Sequence, residues 1–123
     1  MRILVLEDDP SRVKKIKQEL VGFVVDFSDN VSDAINLIET YQYDLMFLDH
    51  DLGGKQMVNS SQEGTGYQFA KAIAISRLNK GTTVIIHSCN PAGAANMQAI
   101  LLESVCIPFI NLNIAGIVKS IQK

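Results

Sequence analysis

This chain is short of the features that usually assign a protein at sight. It has only two cysteines, Cys89 and Cys106, in 123 residues, with no C-x-x-C pair and no metal-ligand spacing between them. That excludes a disulfide framework and a cysteine-built metal centre. Both are expected as reduced thiols of a cytoplasmic protein, one near a strand end and one in the core. Neither sign of charge is in excess. A net charge of −2 leaves no electrostatic footprint for an extended nucleic-acid surface or an anionic membrane. No tract approaches the roughly 18 to 20 apolar residues of a membrane span. The opening Met1-Arg2-Ile3-Leu4-Val5-Leu6-Glu7 has too short an apolar run for a signal peptide. Nothing repeats internally, and no segment is of low complexity. The length suits one domain spanning 1–123.

What is present is an alternation of short apolar runs with amphipathic stretches. Ile3-Leu4-Val5-Leu6 is continuous rather than alternating, as in a strand covered by helices on both faces. Asp9-Pro10 then reads as an N-cap with proline at the first helical position, and Val13, Ile16 and Leu20 form one helical face. A second strand is expected over 22–27, nearer an edge. A helix follows with Asn30 and Asp33 at its start and Val31, Ala34, Ile35 and Ile38 on one side.

Leu45 to Leu48 is the third strand. Gly64-Thr65-Gly66 opens a third helix, which Asn79-Lys80-Gly81 is expected to end. Residues 82–86 form a β-branched fourth strand. Asn90-Pro91 repeats the cap-then-proline signature. A fifth strand is expected over 105–110, with Pro108 tolerable only near its start or on an edge. Asn113 caps a last helix. Alternating strands and helices imply a parallel α/β sheet, and right-handed crossovers favour a flavodoxin-like doubly wound order 2-1-3-4-5. The polar stretch 53–64 is longer than an ordinary connection, and is either a disordered insert or a loop facing a substrate.

In that topology strands one, three and four end side by side. Glu7, Asp8 and Asp9 then share an edge with Asp49, His50, Asp51, His87 and Ser88. Ligands of open parallel sheets sit beyond those carboxyl ends. Converging carboxylates repel unless a cation joins them. Mg²⁺ is the simplest answer, held through one or two carboxylates, with Mn²⁺ or Zn²⁺ as alternatives tolerated by imidazole. Asp9 is equally read as a helix cap alone.

These residues resemble the receiver domain of two-component response regulators, over nearly the whole chain. Leu6-Glu7-Asp8-Asp9 is similar to the opening acidic pair, which implies Glu7 and Asp8 as metal-site carboxylates. Leu48-Asp49 resembles the strand ending in the phosphoacceptor aspartate, Asp49. Asp51 would then lend its backbone carbonyl to the metal, and Ser88 would sense the phosphoryl group. The departures are as informative. Receivers carry a lysine at the end of strand five, usually followed by proline, whereas 109–113 reads Phe-Ile-Asn-Leu-Asn. Losing that cation removes a charge-assisted contact of roughly 1.5 to 3 kcal/mol.

Asp49-His50-Asp51-Leu52 and His87-Ser88-Cys89-Asn90 look like a divergent branch, the cyclic-phosphate-processing receiver-like domains. The resemblance implies a metal-dependent phosphoesterase acting on a cyclic-phosphate small molecule or nucleic-acid end. Opening a cyclic phosphate needs a nucleophile, a proton donor and charge stabilisation. Asp49, His50, His87 and Ser88 are the candidate catalytic residues. Ser88 and Asn90 are the candidate phosphate contacts, the latter at a helix N-terminus.

Strand alternation raises an objection. If it persists, Asp49 and Ser88 face the metal and the histidines lie on another wall. His87, beside Ile86, is read equally as a core histidine. The alternatives are a receiver phosphorylated on Asp49 by a histidine kinase, or a pseudo-receiver acting through a partner protein.

Overall fold

The computed structural model describes residues 1–50, 65–87, 90–101 and 103–121. The expected loop at 53–64, with Asp51, Ser88 and Cys89, lies outside them. The elements run β1 (Arg2–Leu6), α1 (Pro10–Glu19), β2 (Val24–Ser28), α2 (Val31–Thr40), β3 (Leu45–Leu48), α3 (Gly66–Ala74), β4 (Thr83–Ile86), α4 (Pro91–Ile100), β5 (Ser104–Cys106) and α5 (Ile114–Ile121). All strand pairs are parallel, in the order β2-β1-β3-β4-β5. This is the doubly wound arrangement that the alternation of elements implies.

Beyond Arg2 and Thr83 at their starts, the central strands are apolar because both of their faces are covered. Leu4, Leu6, Met46, Leu48, Val84 and Ile86 pack against α2, α3 and α4 through Ile38, Phe69, Ile73 and Met97. Ile3, Val5, Leu45, Phe47 and Ile85 pack against α1 and α5 through Ile16, Ile114 and Val118. Even and odd strand positions therefore point to opposite layers, as the pleat requires. The helix starts carry the expected caps: the side chains of Asp9, Asn30, Asn90 and Asn113 each accept backbone N–H groups of the first turn.

Three elements differ by more than one residue from the sequence reading. The fifth strand stops at Cys106, and Phe109–Asn111 forms a 3-10 turn. Pro108 has no N–H to continue the ladder, and β5 is an edge strand. Cys106 is accordingly half-buried at that edge rather than in the core. The second strand starts two residues later and ends one later than expected, because Gly22 takes φ +95° in the preceding turn. Helix α3 ends at Ala74, well before Asn79.

Asn79 does more than end a helix. It is fully buried. Its Oδ1 accepts the Tyr43 N–H at 2.8 Å, and its Nδ2 donates to the carbonyls of Ile38 and Tyr41, both at 2.8 Å. One amide thus ties the α3–β4 connection to the end of α2 and the approach to β3. Asn79→Ala would strand a buried N–H and two carbonyls. We expect a loss of about 2 to 4 kcal/mol in urea unfolding, and a loss under about 1 kcal/mol would show that these groups find other partners.

Candidate functional site

The register decides which side chains meet. Leu6, Leu48 and Ile86 are level across β1, β3 and β4, and Cys106 is level with Ile86. The ladder continues one residue beyond each strand. Glu7 N–H donates to Ser28 O, Asp49 to Leu6 O, His87 to Leu48 O and Ile107 to Ile86 O, at 2.9–3.0 Å. Glu7, Asp49, His87 and Ile107 therefore form one row across the carboxyl edge of the sheet. By alternation they continue the face that Val5, Phe47 and Ile85 present to α1 and α5.

Glu7 is the hub of that row. Its side chain is fully buried. Oε1 accepts from His87 Nε2 at 3.0 Å and lies 3.5 Å from Arg12 Nη1. Oε2 accepts the N–H groups of Asp8 at 3.0 Å and Asp9 at 3.2 Å. Burial opposes its charge, but the His87 hydrogen bond and charge, the Asp9 N–H and the Arg12 guanidinium outweigh it. The carboxyl is held below the usual glutamate value.

Because the folded value lies below the unfolded one, Glu7 contributes stability above about pH 4.3, and that stability is lost as pH falls through the lowered folded value. Glu7→Gln is expected to lower stability at neutral pH and to flatten the acid limb. Urea midpoints measured from pH 6 to pH 3 check this, and an unchanged acid limb would refute it.

Asp49 is buried, with Oδ1 accepting the His50 N–H at 2.9 Å and Oδ2 4.0 Å from Arg12 Nη1. Oxygens of Glu7, Asp8 and Asp49 lie within 4.8 Å of one another. Three hard oxygen donors at this spacing suit Mg²⁺ or Mn²⁺ better than Zn²⁺. His87 stands beside them, its ring tilted against Phe109 at 5.8 Å. Among the described residues its buried Nδ1 has no hydrogen-bond partner.

His50 is on the other wall. It is fully buried and continues the even positions that face α3 and α4. Asn90 explains its state. The Asn90 Oδ1 accepts the Gly93 N–H at 2.9 Å as the cap of α4, so Nδ2 is the end that faces His50 Nδ1 at 3.3 Å. An amide N–H only donates, so His50 Nδ1 accepts. A Cβ on Gly93 would overlap the His50 ring, which sets the close approach of α4.

The sequence-level grouping therefore divides. Glu7, Asp8, Asp49 and His87 come together, while His50 and Asn90 pair behind the sheet edge. The reading in which strict alternation puts both histidines on another wall fails for His87, which the register sets level with Asp49 and beside Glu7. The strand-five position level with this row is Ile107, followed by Pro108, rather than a residue of 109–113. It is still not a lysine. Sequence reasoning missed Arg12, although its place three residues after the Asp9 cap puts it on the first turn of α1, at the same edge.

A family model described as the cyclic-phosphate processing receiver domain matches residues 2–103. No curated protein matches the chain. Among solved structures, the chain is similar to the response regulator TrrA from Thermotoga maritima, solved in complex with Mg²⁺ and BeF, at 24% identity and a TM-score of 0.71, covering 98% of this chain and 97% of that one. It is also similar to a two-component response regulator from Clostridium difficile, at 22% identity and 0.73, covering 98% and 94%. A receiver domain from Methylobacillus flagellatus gives 20% and 0.71, covering 99% and 98%. At these identities the structural likeness speaks for the fold alone. Among the described residues, no helix is long and apolar enough to cross a membrane.

Proposed function

Because the chain belongs to the family of cyclic-phosphate processing receiver domains, we propose that it is a divalent-cation-dependent phosphoesterase that opens cyclic phosphates. Glu7, Asp8 and Asp49 would hold Mg²⁺ or Mn²⁺. The observation that carries the reading is their convergence within 4.8 Å, beside a buried histidine. When bound, such an ion supplies charge stabilisation to phosphoryl oxygens and makes water a better nucleophile.

The chain's own residues supply the rest. Glu7 fixes the His87 ring through Nε2, so His87 takes the proton-handling role at the leaving oxygen. His50 donates its backbone N–H to Asp49 Oδ1 and is wedged against α4, so we assign it to positioning Asp49 rather than to proton transfer. Ser88 and the Asp51 carbonyl, outside the described residues, keep the phosphate and metal roles that the family resemblance implies. Asn90 caps α4 and holds His50, which favours a supporting role over direct phosphate contact.

The second reading, phosphorylation of Asp49 by a histidine kinase, is weakened by Ile107, which leaves no strand-five cation beside the acceptor. One assay separates the two. Turnover of a 2′,3′-cyclic nucleotide that needs Mn²⁺ and stops on chelation is expected. A stable beryllofluoride adduct at Asp49 without turnover would replace the enzyme with the switch.

A further inference from the structure

We propose that Arg12 is a phosphate-binding residue of this site, gripping the phosphoryl oxygens of the substrate from α1; the inference rests on the phosphate-handling reading above. The need for it is electrostatic. Three carboxylates meet here, and a divalent cation would leave one of their negative charges uncancelled. An anionic phosphoryl group approaching that site requires a further cation. Strand five offers none, because Ile107 occupies the level of Asp49 and His87. Among the described residues, Arg12 is the cation that faces both Glu7 and Asp49.

Its placement is built rather than incidental. Asp9 caps α1 and Pro10 opens it, so Arg12 falls on the first turn and is directed back over the sheet edge. The guanidinium carbon sits 4.9 Å from the centre of the Phe109 ring, which also backs His87. A flat aromatic surface restrains the guanidinium without consuming its N–H groups. The side chain remains 22% exposed.

The distances to the carboxylates are long. Nη1 is 3.5 Å from Glu7 Oε1 and 4.0 Å from Asp49 Oδ2, against roughly 2.7–2.9 Å for a close charge-assisted bond. A phosphoryl group presenting two oxygens matches the geometry of the guanidinium fork.

The test uses the full chain with Mn²⁺ and inorganic phosphate. Mn²⁺ affinity is read by electron paramagnetic resonance, and phosphate affinity by the broadening of its ³¹P resonance by bound Mn²⁺. Arg12→Gln is expected to bind Mn²⁺ as well as or better than the wild type, because a positive charge has left the carboxylates. Its phosphate affinity should fall about ten- to a hundredfold, the range for a charged hydrogen bond. Arg12→Lys should fall between the two, since an ammonium keeps the charge and loses the fork.

Unchanged phosphate affinity in Arg12→Gln, with Mn²⁺ bound, overturns this inference and leaves the metal reading standing. Failure of the wild type to bind Mn²⁺ overturns the functional reading itself, and this inference with it. If Arg12→Gln does not fold, Arg12→Lys decides: wild-type phosphate affinity there would also overturn the assignment.

Discussion

Asp49→Asn is expected to weaken Mn²⁺ binding by at least about a hundredfold, above the upper range for losing a residue that only supports a ligand, while leaving the fold as stable as the wild type or more so. The two effects have opposite signs for one reason. Oxygens of Glu7 and Asp8 lie within 4.8 Å of those of Asp49. At that separation like charges repel by about 3.5 kcal/mol per pair at an effective dielectric of about 20. Arg12, at 4.0 Å from Asp49, returns about 4 kcal/mol on the same scale. Among the described residues, two repulsions against one attraction leave a net strain, which asparagine removes. An asparagine Oδ1 can still accept the His50 N–H, so the strand end keeps its geometry. After screening we expect a gain of about 1 kcal/mol. Mn²⁺ titration and urea unfolding of the same preparation measure both. A loss of more than about 2 kcal/mol would make Asp49 a structural residue and sink the reading of a site held at the expense of stability.

Gly66→Ala is expected to destabilise the protein by about 3 to 5 kcal/mol, the range reserved for a backbone clash or a lost network. Gly66 is the first residue of α3, and its N–H donates to His50 O at 2.8 Å. A Cβ there would overlap the Asp49 carbonyl oxygen and lie 2.8 Å from His50 Cα. The obstacle is backbone on both sides, so no rotamer change relieves it. Either α3 lifts from the sheet or the end of β3 moves. The second outcome displaces Asp49, so Mn²⁺ affinity should fall together with stability. Urea unfolding decides the first effect: a loss below about 1 kcal/mol would mean that α3 is seated less tightly than the geometry implies. The clash and the acidic cluster are linked through the short segment Asp49-His50, which carries a carboxylate of that cluster on one face and the seat of α3 in its backbone.

How much was readable in advance varied with the kind of information required. The elements were legible because each rests on local chemistry: unbroken apolar runs for strands buried on both faces, and a side-chain cap before each helix start. The boundaries that slipped involve residues whose role is set from elsewhere. Asn79 reads locally as a helix stop, yet its amide serves Tyr43, Ile38 and Tyr41, distant in sequence. Pro108 is awkward in a strand for lack of an N–H, a property of the residue itself, and the ladder does end before it. The acidic residues were legible as a group, because the strand order alone brings the ends of β1 and β3 together.

The amino-acid sequence by itself determined the fold class and the identity of the acidic residues at the carboxyl edge, since both follow from periodicity, caps and the order of elements. Only the tertiary structure decided which side chains face one another. Alternation makes a side chain's direction depend on where its strand ends relative to its neighbours, and backbone hydrogen bonds between distant strands set that. A register of one residue puts His87 on Glu7 beside Asp49, turns His50 behind the sheet to Asn90, and sets Ile107 at the level of both. Arg12 enters the site because its helix folds back over that edge, a contact that no local pattern records.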